Sequence, residues 1–274
     1  METIIIPTDF SASAASAMKY AIEMAMEIKA SILVFHVYSI PVSVSDVPVV
    51  LVSAEELKKN AEEQLLQLKN EIEQSTSGNT KVYTEAVLGN TVDELEAVCK
   101  RVRPFTVVMG TRGSSGMERV LFGSTTLIAI RHVSSPIIIV PPGTKYTGIK
   151  KIGFACDFKK VLETTPTQSI KEIVKEFNAE LYVLNVDHQS RHFKPDTPQE
   201  SILLHTMLQD LNPEYHFIDD VDIEDGINRF AERNNIDLVI TIPKKHTLLQ
   251  GLFKKSSTRQ LVFHSHVPIM CIHE

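Results

Sequence analysis

The residues with the clearest chemical potential form one run, Val107-Val-Met-Gly110-Thr-Arg-Gly113-Ser-Ser-Gly116-Met-Glu-Arg-Val-Leu-Phe-Gly123-Ser124-Thr125-Thr126. A strand-like stretch enters it and a helical stretch leaves it. Gly110 lets the chain turn sharply off the strand. Gly113 and Gly123 let backbone approach a ligand with no Cβ in the way. Ser124 and Thr125 open the helix, where unpaired N–H groups and the positive dipole end favour phosphate. The chemistry this suggests is a polyphosphate cradle built mostly from backbone. The run is not a Walker loop, because no Lys precedes the Ser or Thr. It is not the dinucleotide fingerprint, because the glycines read GxxGxxG. From spacing alone, a tight strand-to-helix loop without a ligand is the competing reading.

The elements that must position this loop are repeated. Ile4-Ile-Ile-Pro-Thr-Asp9-Phe10 is echoed by Ile152-Gly-Phe-Ala-Cys-Asp157-Phe158. Ser31–Val37 matches Glu180–Val186, Pro104–Met109 matches Ile236–Thr241, and His132–Val140 matches His264–Ile272. The landmarks keep their order and offset, so the chain is a duplication. The seam lies near the Pro/Gly stretch Pro141–Gly148. In the first half, residues 4–8, 31–37, 81–87, 105–109 and 136–140 read as strands, apolar enough to be covered on both faces. Leu57, Ala61, Leu65, Leu68 and Ile72 recur at helical spacing within 54–74. Ser11 to Ser13 are N-cap candidates for the first helix. Strands alternating with helices predict a doubly wound, parallel α/β domain in each half. Ligands of such sheets sit outside the carboxyl ends of the strands, at the switch point. Asp9 and Gly110 fall there. Asp9 is also placed to be an N-cap or turn aspartate.

Gly110-x2-Gly113-x9-Gly123-Ser124 has the spacing of the nucleotide-binding motif of the universal stress protein family. The opening Ile-Pro-Thr-Asp-Phe-Ser, the strand end Phe35-His36-Val37 and the run His132–Val140 are similar to that family as well. The resemblance covers the first half fully and the second more loosely. It implies two tandem Rossmann-like domains, over 1–144 and 149–274, each with a five-stranded parallel sheet flanked by helices and packed as an internal pseudo-dimer. It implies ATP, possibly with Mg²⁺, in the first domain. By position, Asp9 and Val37 would face the adenosine with Thr8 beside them, Val37 through backbone alone. Gly110, Gly113, Gly123, Ser124 and Thr125 would hold phosphates. Arg112 stands at a variable position, as a phosphate contact or a solvated side chain. Single-domain members pair through their last strands, so a tandem chain is expected to build that pair internally. A further homodimer stays open.

The second half departs from the motif. Aligning Phe122 with Phe253 places Thr241, Lys244 and Lys254-Lys255 where Gly110, Gly113 and Gly123-Ser124 stand. Asp157 persists, but no ATP site is expected there. Lys244, Lys245, Lys254 and Lys255 are either a grip for another anion or a solvated face. His188 and His192, four apart with Asp187 and His205 nearby, have a spacing zinc sites use on helices, yet the segment reads as a polar loop. His264 shares the place of His132 and reads as architectural. The segment Ile40–Val52 is either a lid or interface patch, or a loop packed on its own domain.

Composition narrows the function. With 274 residues, 28 Lys+Arg against 34 Asp+Glu and a net charge of −6, the chain lacks the basic balance of a nucleic-acid binder. No apolar run approaches a membrane span. The N-terminus enters a strand at once, without a leader. Cys99, Cys156 and Cys271 form no CxxC, which points to a reducing, cytoplasmic setting. Three functions are open: a stress-response module that binds an adenine nucleotide, a slow Mg-dependent ATPase, and a nucleotide-free scaffold or binder of another ligand. Phosphoryl transfer needs a metal carboxylate and Lys or Arg at the phosphates. The loop offers only Glu118, Arg112 and Arg119, and no catalytic constellation can be assigned, so weak hydrolysis at most is expected.

Overall fold

The computed structural model describes residues 2–40, 53–111, 123–187, 197–243, 261 and 265–273. They group into two compact units, Met1–Ser135 and Pro136–Glu274.

The first unit runs β1 (Thr3–Pro7), α1 (Ala12–Glu27), β2 (Ser31–Tyr38), α2 (Ala54–Ser75), β3 (Val82–Leu88), α3 (Thr91–Val102), β4 (Thr106–Gly110) and α4 (Ser124–His132). The strands lie in the order β3-β2-β1-β4, all parallel. Each lies within a residue or two of its predicted place. Ile4, Ile5 and Ile6 are fully buried, as a strand covered on both faces requires. Each such side chain contributes about 1.5–3 kcal/mol by leaving water. In α2 the stripe Ala61, Leu65 and Ile72 is buried. Three helices start at polar caps: Ser11 Oγ accepts from the Ala14 N–H, Ser53 Oγ from Glu56, and Asn90 Oδ1 from Val92 and Asp93. Such caps each stabilise a helix start by about 1 kcal/mol.

The second unit opens on β5 (Ile137–Val140), followed by β6 (Lys151–Ala155), α5 (Val161–Thr164), α6 (Thr167–Glu176) and β7 (Glu180–Val186). It continues with α7 (Thr197–Leu208), a 3-10 turn (Gln209–Leu211), β8 (Glu214–Ile218), α8 (Ile223–Asn234), β9 (Leu238–Thr241) and β10 (Ile269–Cys271). The order is β5-β10-β9-β6-β7-β8, parallel except that β10 runs antiparallel to β5, with Ile269 opposite Ile139 and Cys271 opposite Ile137. β5 and β10 are the last strands of the two sequence repeats. Their pairing explains why the division between units falls before β5.

In the first unit the chain passes from β1 to β2 on one side and reaches β4 on the other, so the switch point lies between β1 and β4. In the second unit it lies between β6 and β9. One difference separates the repeats here. α1 is continuous, whereas its counterpart is interrupted at Thr165-Pro166 into α5 and α6, as proline dictates.

Candidate functional site

At the carboxyl end of β1, Thr8 is buried and tied on three sides. Its N–H donates to the Phe35 carbonyl (2.9 Å), its Oγ1 accepts from the Phe10 N–H (3.0 Å), and its carbonyl accepts from His36 Nδ1 (2.7 Å). His36 therefore carries its proton on Nδ1 and latches the end of β2 to the end of β1. Asp9 is exposed, and its Oδ1 accepts from the Ser11 N–H (3.1 Å). This is a turn that leads into the Ser11 cap. Phe10 takes a left-handed conformation, φ 60°, and its ring lies 4.5 Å from that of His36.

Val37 stands just beyond the β1–β2 ladder, whose last register pair is Pro7 with Phe35. The Phe35 carbonyl points toward β1. Residues two apart in a strand face the same neighbour, so the Val37 N–H and carbonyl point toward the β1 side as well. They lie level with the Thr8-Asp9-Phe10 turn.

The two ends of the glycine loop are held together. The Gly123 N–H donates to the Thr111 carbonyl (3.1 Å), and Thr126 Oγ1 donates to the Gly110 carbonyl (3.1 Å). The segment between, including Arg112 and Gly113, lies outside the described residues. Gly123 is the N-cap of α4 and has no side chain to accept a bond there. The cap residue itself thus supplies no acceptor for the opening N–H groups of α4, and Ser124 is exposed and Thr125 partly exposed beside them. Gly110 has a role that spacing did not reveal. A Cβ on it would stand 2.6 Å from Ser13 Oγ and 2.9 Å from the Ser13 carbonyl oxygen. Its bareness lets α1 lie directly on β4.

A cavity of about 390 Å³ opens beside α4, lined by Asn90, Thr91, Val92 and Asp93 from the start of α3 and by Ser124, Thr125, Ile128 and His132. It gathers two of the residues singled out in the sequence. Thr8, Asp9 and Val37 lie apart from it, at the ends of β1 and β2. Sequence reasoning missed the part played by Asn90 and Thr91. Asn-Thr ahead of Asp-Glu is a helix-start signal that would have found it.

The second unit repeats the frame, and its sequence lacks the glycine motif. Asn185 Nδ2 donates to the Cys156 carbonyl (2.9 Å), as His36 does to Thr8. Cys156 Sγ accepts from the Phe158 N–H (3.4 Å), Asp157 Oδ1 from the Lys159 N–H (3.3 Å), and Phe158 is left-handed at φ 48°. Strand register corrects the sequence alignment here: Thr106 and Leu238 hold equivalent places, so buried Thr241 stands where the first unit has Met109, and Ile242 stands where it has Gly110. Lys244, Lys245, Lys254, Lys255, His188, His192 and His264 lie outside the described residues. Among those described, no group of three or more His, Cys, Asp or Glu is placed to hold a metal, and no helix is long and apolar enough to cross a membrane.

Two repeats of a parallel α/β sheet, each with its switch point between the first and fourth strands of the repeat, define a tandem Rossmann-like protein. A model of the universal stress protein family matches residues 1–141 and 148–273, and the chain belongs to that family. It is 32% identical over 145 residues, 50% of this chain and 80% of the relative, to a universal stress protein of Methanocaldococcus jannaschii. A solved universal stress protein from Archaeoglobus fulgidus has a similar fold, with a TM-score of 0.74 at 18% identity, covering 99% of this chain and 98% of its own. A functionally unknown protein from Pseudomonas aeruginosa matches at 0.64 and 11% identity, covering 100% and 92%.

Proposed function

We propose that the first domain, residues 1–144, binds ATP or a related adenine nucleotide and that the protein serves as a cytoplasmic stress-response module. The observation that carries this reading is the junction of Thr111 with Gly123, which brings the start of α4, capped by a glycine with no side chain, to the carboxyl end of β4. The start of α4 has the donor character a phosphate needs. Ser124 and Thr125 add hydroxyls, Gly113 keeps Cβ atoms away, and the Val37 backbone takes the edge of the base beside Thr8 and Asp9. Arg112 belongs to the same loop. Bound nucleotide supplies charge at this end that the fold alone lacks.

Binding without fast turnover fits the side chains. Among the described residues, the cavity beside α4 is lined by one carboxylate, Asp93, and by no Lys or Arg. Phosphoryl transfer draws its rate from such cations and metals. The domain over 149–274 is a partner without the glycine motif. The three free thiols suit a reducing compartment.

The test is native mass spectrometry of freshly purified protein, then titration with ATP and Mg²⁺. One nucleotide per chain, lost in Gly113→Val, is the expected result. No mass shift at excess ATP would move the reading to a ligand-free scaffold. Linear turnover abolished by removing Mg²⁺ would move it to an ATPase.

A further inference from the structure

The two units treat one aromatic ring differently. Phe10 and Phe158 hold the same place after β1 and β6, with the same left-handed backbone and the same N–H bond to the side chain two residues earlier. Phe10 lies on His36 and stays partly exposed. Phe158 is only 2% exposed, with the ring of Tyr215 at 6.5 Å and that of Phe217 at 5.8 Å.

Strand register identifies the cause. Val34 and His36 of β2 stand opposite Thr84 and Ala86 of β3. Val183 and Asn185 of β7 stand opposite Tyr215 and Phe217 of β8. His36 and Asn185 are equivalent, because each bonds the carbonyl that ends the preceding repeat strand. Thr84 and Ala86 are therefore the counterparts of Tyr215 and Phe217. Two small residues in one unit face two aromatic ones in the other, on the same face of the corresponding outer strand.

We propose that Thr84 and Ala86 are specificity-determining residues, whose small size keeps the strand ends of the first unit open to a planar heteroaromatic ring. In the second unit Tyr215 and Phe217 fill the corresponding place beside buried Phe158, Phe217 with much of its own ring still exposed. In the first unit Phe10 and His36 lie ring against ring and are both partly exposed, an aromatic pair that suits offset or tilted stacking with a further ring. The closed end has its own ring in place of a ligand. The second unit is thus barred twice, by its loop and by its aromatic cluster, and the two bars are independent. This inference rests on the nucleotide reading of the first unit.

The experiment is an ATP titration of the full chain, wild type against Thr84→Tyr/Ala86→Phe, followed by native mass spectrometry, with far-UV circular dichroism as the check on folding. The expected result is one ATP per wild-type chain and at least about a tenfold loss of affinity in the double variant. If the double variant does not fold, Ala86→Phe alone is held to the same criterion. Wild-type binding with a variant affinity within about twofold overturns this inference and leaves the nucleotide site standing. A wild type that binds no ATP overturns both.

Discussion

Gly110→Ala separates the packing of this fold from its ligand chemistry. The added Cβ would stand 2.6 Å from Ser13 Oγ, 2.9 Å from the Ser13 carbonyl oxygen and 3.2 Å from its carbonyl carbon. The hydroxyl can rotate away, but the carbonyl belongs to α1 and cannot. The helix must lift off β4 by several tenths of an ångström, and with it the contacts of Ala17 and Ala21, which are buried on the inner face of α1. Overpacking of this kind costs about 1–3 kcal/mol. At about 2–4 °C per kcal/mol, the melting midpoint falls by roughly 2–12 °C. The assay is thermal unfolding by circular dichroism with nucleotide removed. Ser13→Ala removes the hydroxyl that the new Cβ would meet but leaves the carbonyl in place, so Gly110→Ala/Ser13→Ala recovers part of the loss relative to Ser13→Ala and not all of it. A double-mutant cycle over the four proteins gives the coupling. If Gly110→Ala melts with the wild type without nucleotide, and falls behind only when ATP is present, the packing argument is wrong and Gly110 serves the ligand alone.

Three further outcomes are expected. His36→Asn keeps the stability of the wild type, since Asn185 makes the same bond in the second unit, while His36→Leu loses about 1 kcal/mol in urea unfolding. Burial pushes the Glu96 carboxyl up, but the Ser134 N–H and hydroxyl and the Lys100 ammonium outweigh it and hold the group below its ordinary 4.5. A carboxylate lowered on folding stabilises above the unfolded value and loses that contribution as pH falls through the folded one. Glu96→Gln is therefore less stable than wild type near neutrality, by under about 1 kcal/mol for so exposed a network, and the gap closes in acid. Burial pushes the Cys99 and Cys271 thiols up, to about 11 and about 12. Iodoacetamide at pH 8 should label native protein at the half-buried Cys156 alone, and all three cysteines after denaturation, as counted by mass spectrometry.

The strands and helices of the first unit were legible because their signals are local. Ile4–Ile6 and Ile137–Val140 are apolar runs of strand length, α2 shows a helical stripe, and Ser11 is a cap residue before an alanine-rich helix. Features that depend on distant partners were not. Nothing in Ile137–Val140 says that it will lie antiparallel to Ile269–Cys271. Gly110 looked like a turn glycine, since the helix that presses on it begins almost a hundred residues earlier. His36 was placed at a strand end, but its partner is the carbonyl of a residue 28 positions away. The interruption of the second long helix was present in the sequence as Thr165-Pro166 and follows from proline alone. For the site, residue types and spacing marked Gly123, Ser124 and Thr125, whereas the cavity beside them needs α3 folded back against α4.

The duplication supplies an internal control on Asp9. If this aspartate were kept only for a nucleotide, its counterpart would be free to change in the unit that lost its glycines. Asp157 is still there, in the same bond to the N–H two residues on, ahead of the same left-handed phenylalanine. The turn alone therefore accounts for an aspartate at both places. The glycines behave differently: none of the three is kept in the second half, where strand register sets Ile242 at the place of Gly110 and the segment that follows carries lysines. The shared Asp-Phe turn belongs to the fold, and under the proposed nucleotide reading the glycine loop is the part that would separate the units in function. Asp9→Asn should accordingly weaken nucleotide binding far less than Gly113→Val, because an asparagine oxygen still accepts from the Ser11 N–H. A carboxylate-specific loss in that variant, at unchanged melting temperature, would show instead that Asp9 contacts the ligand by charge.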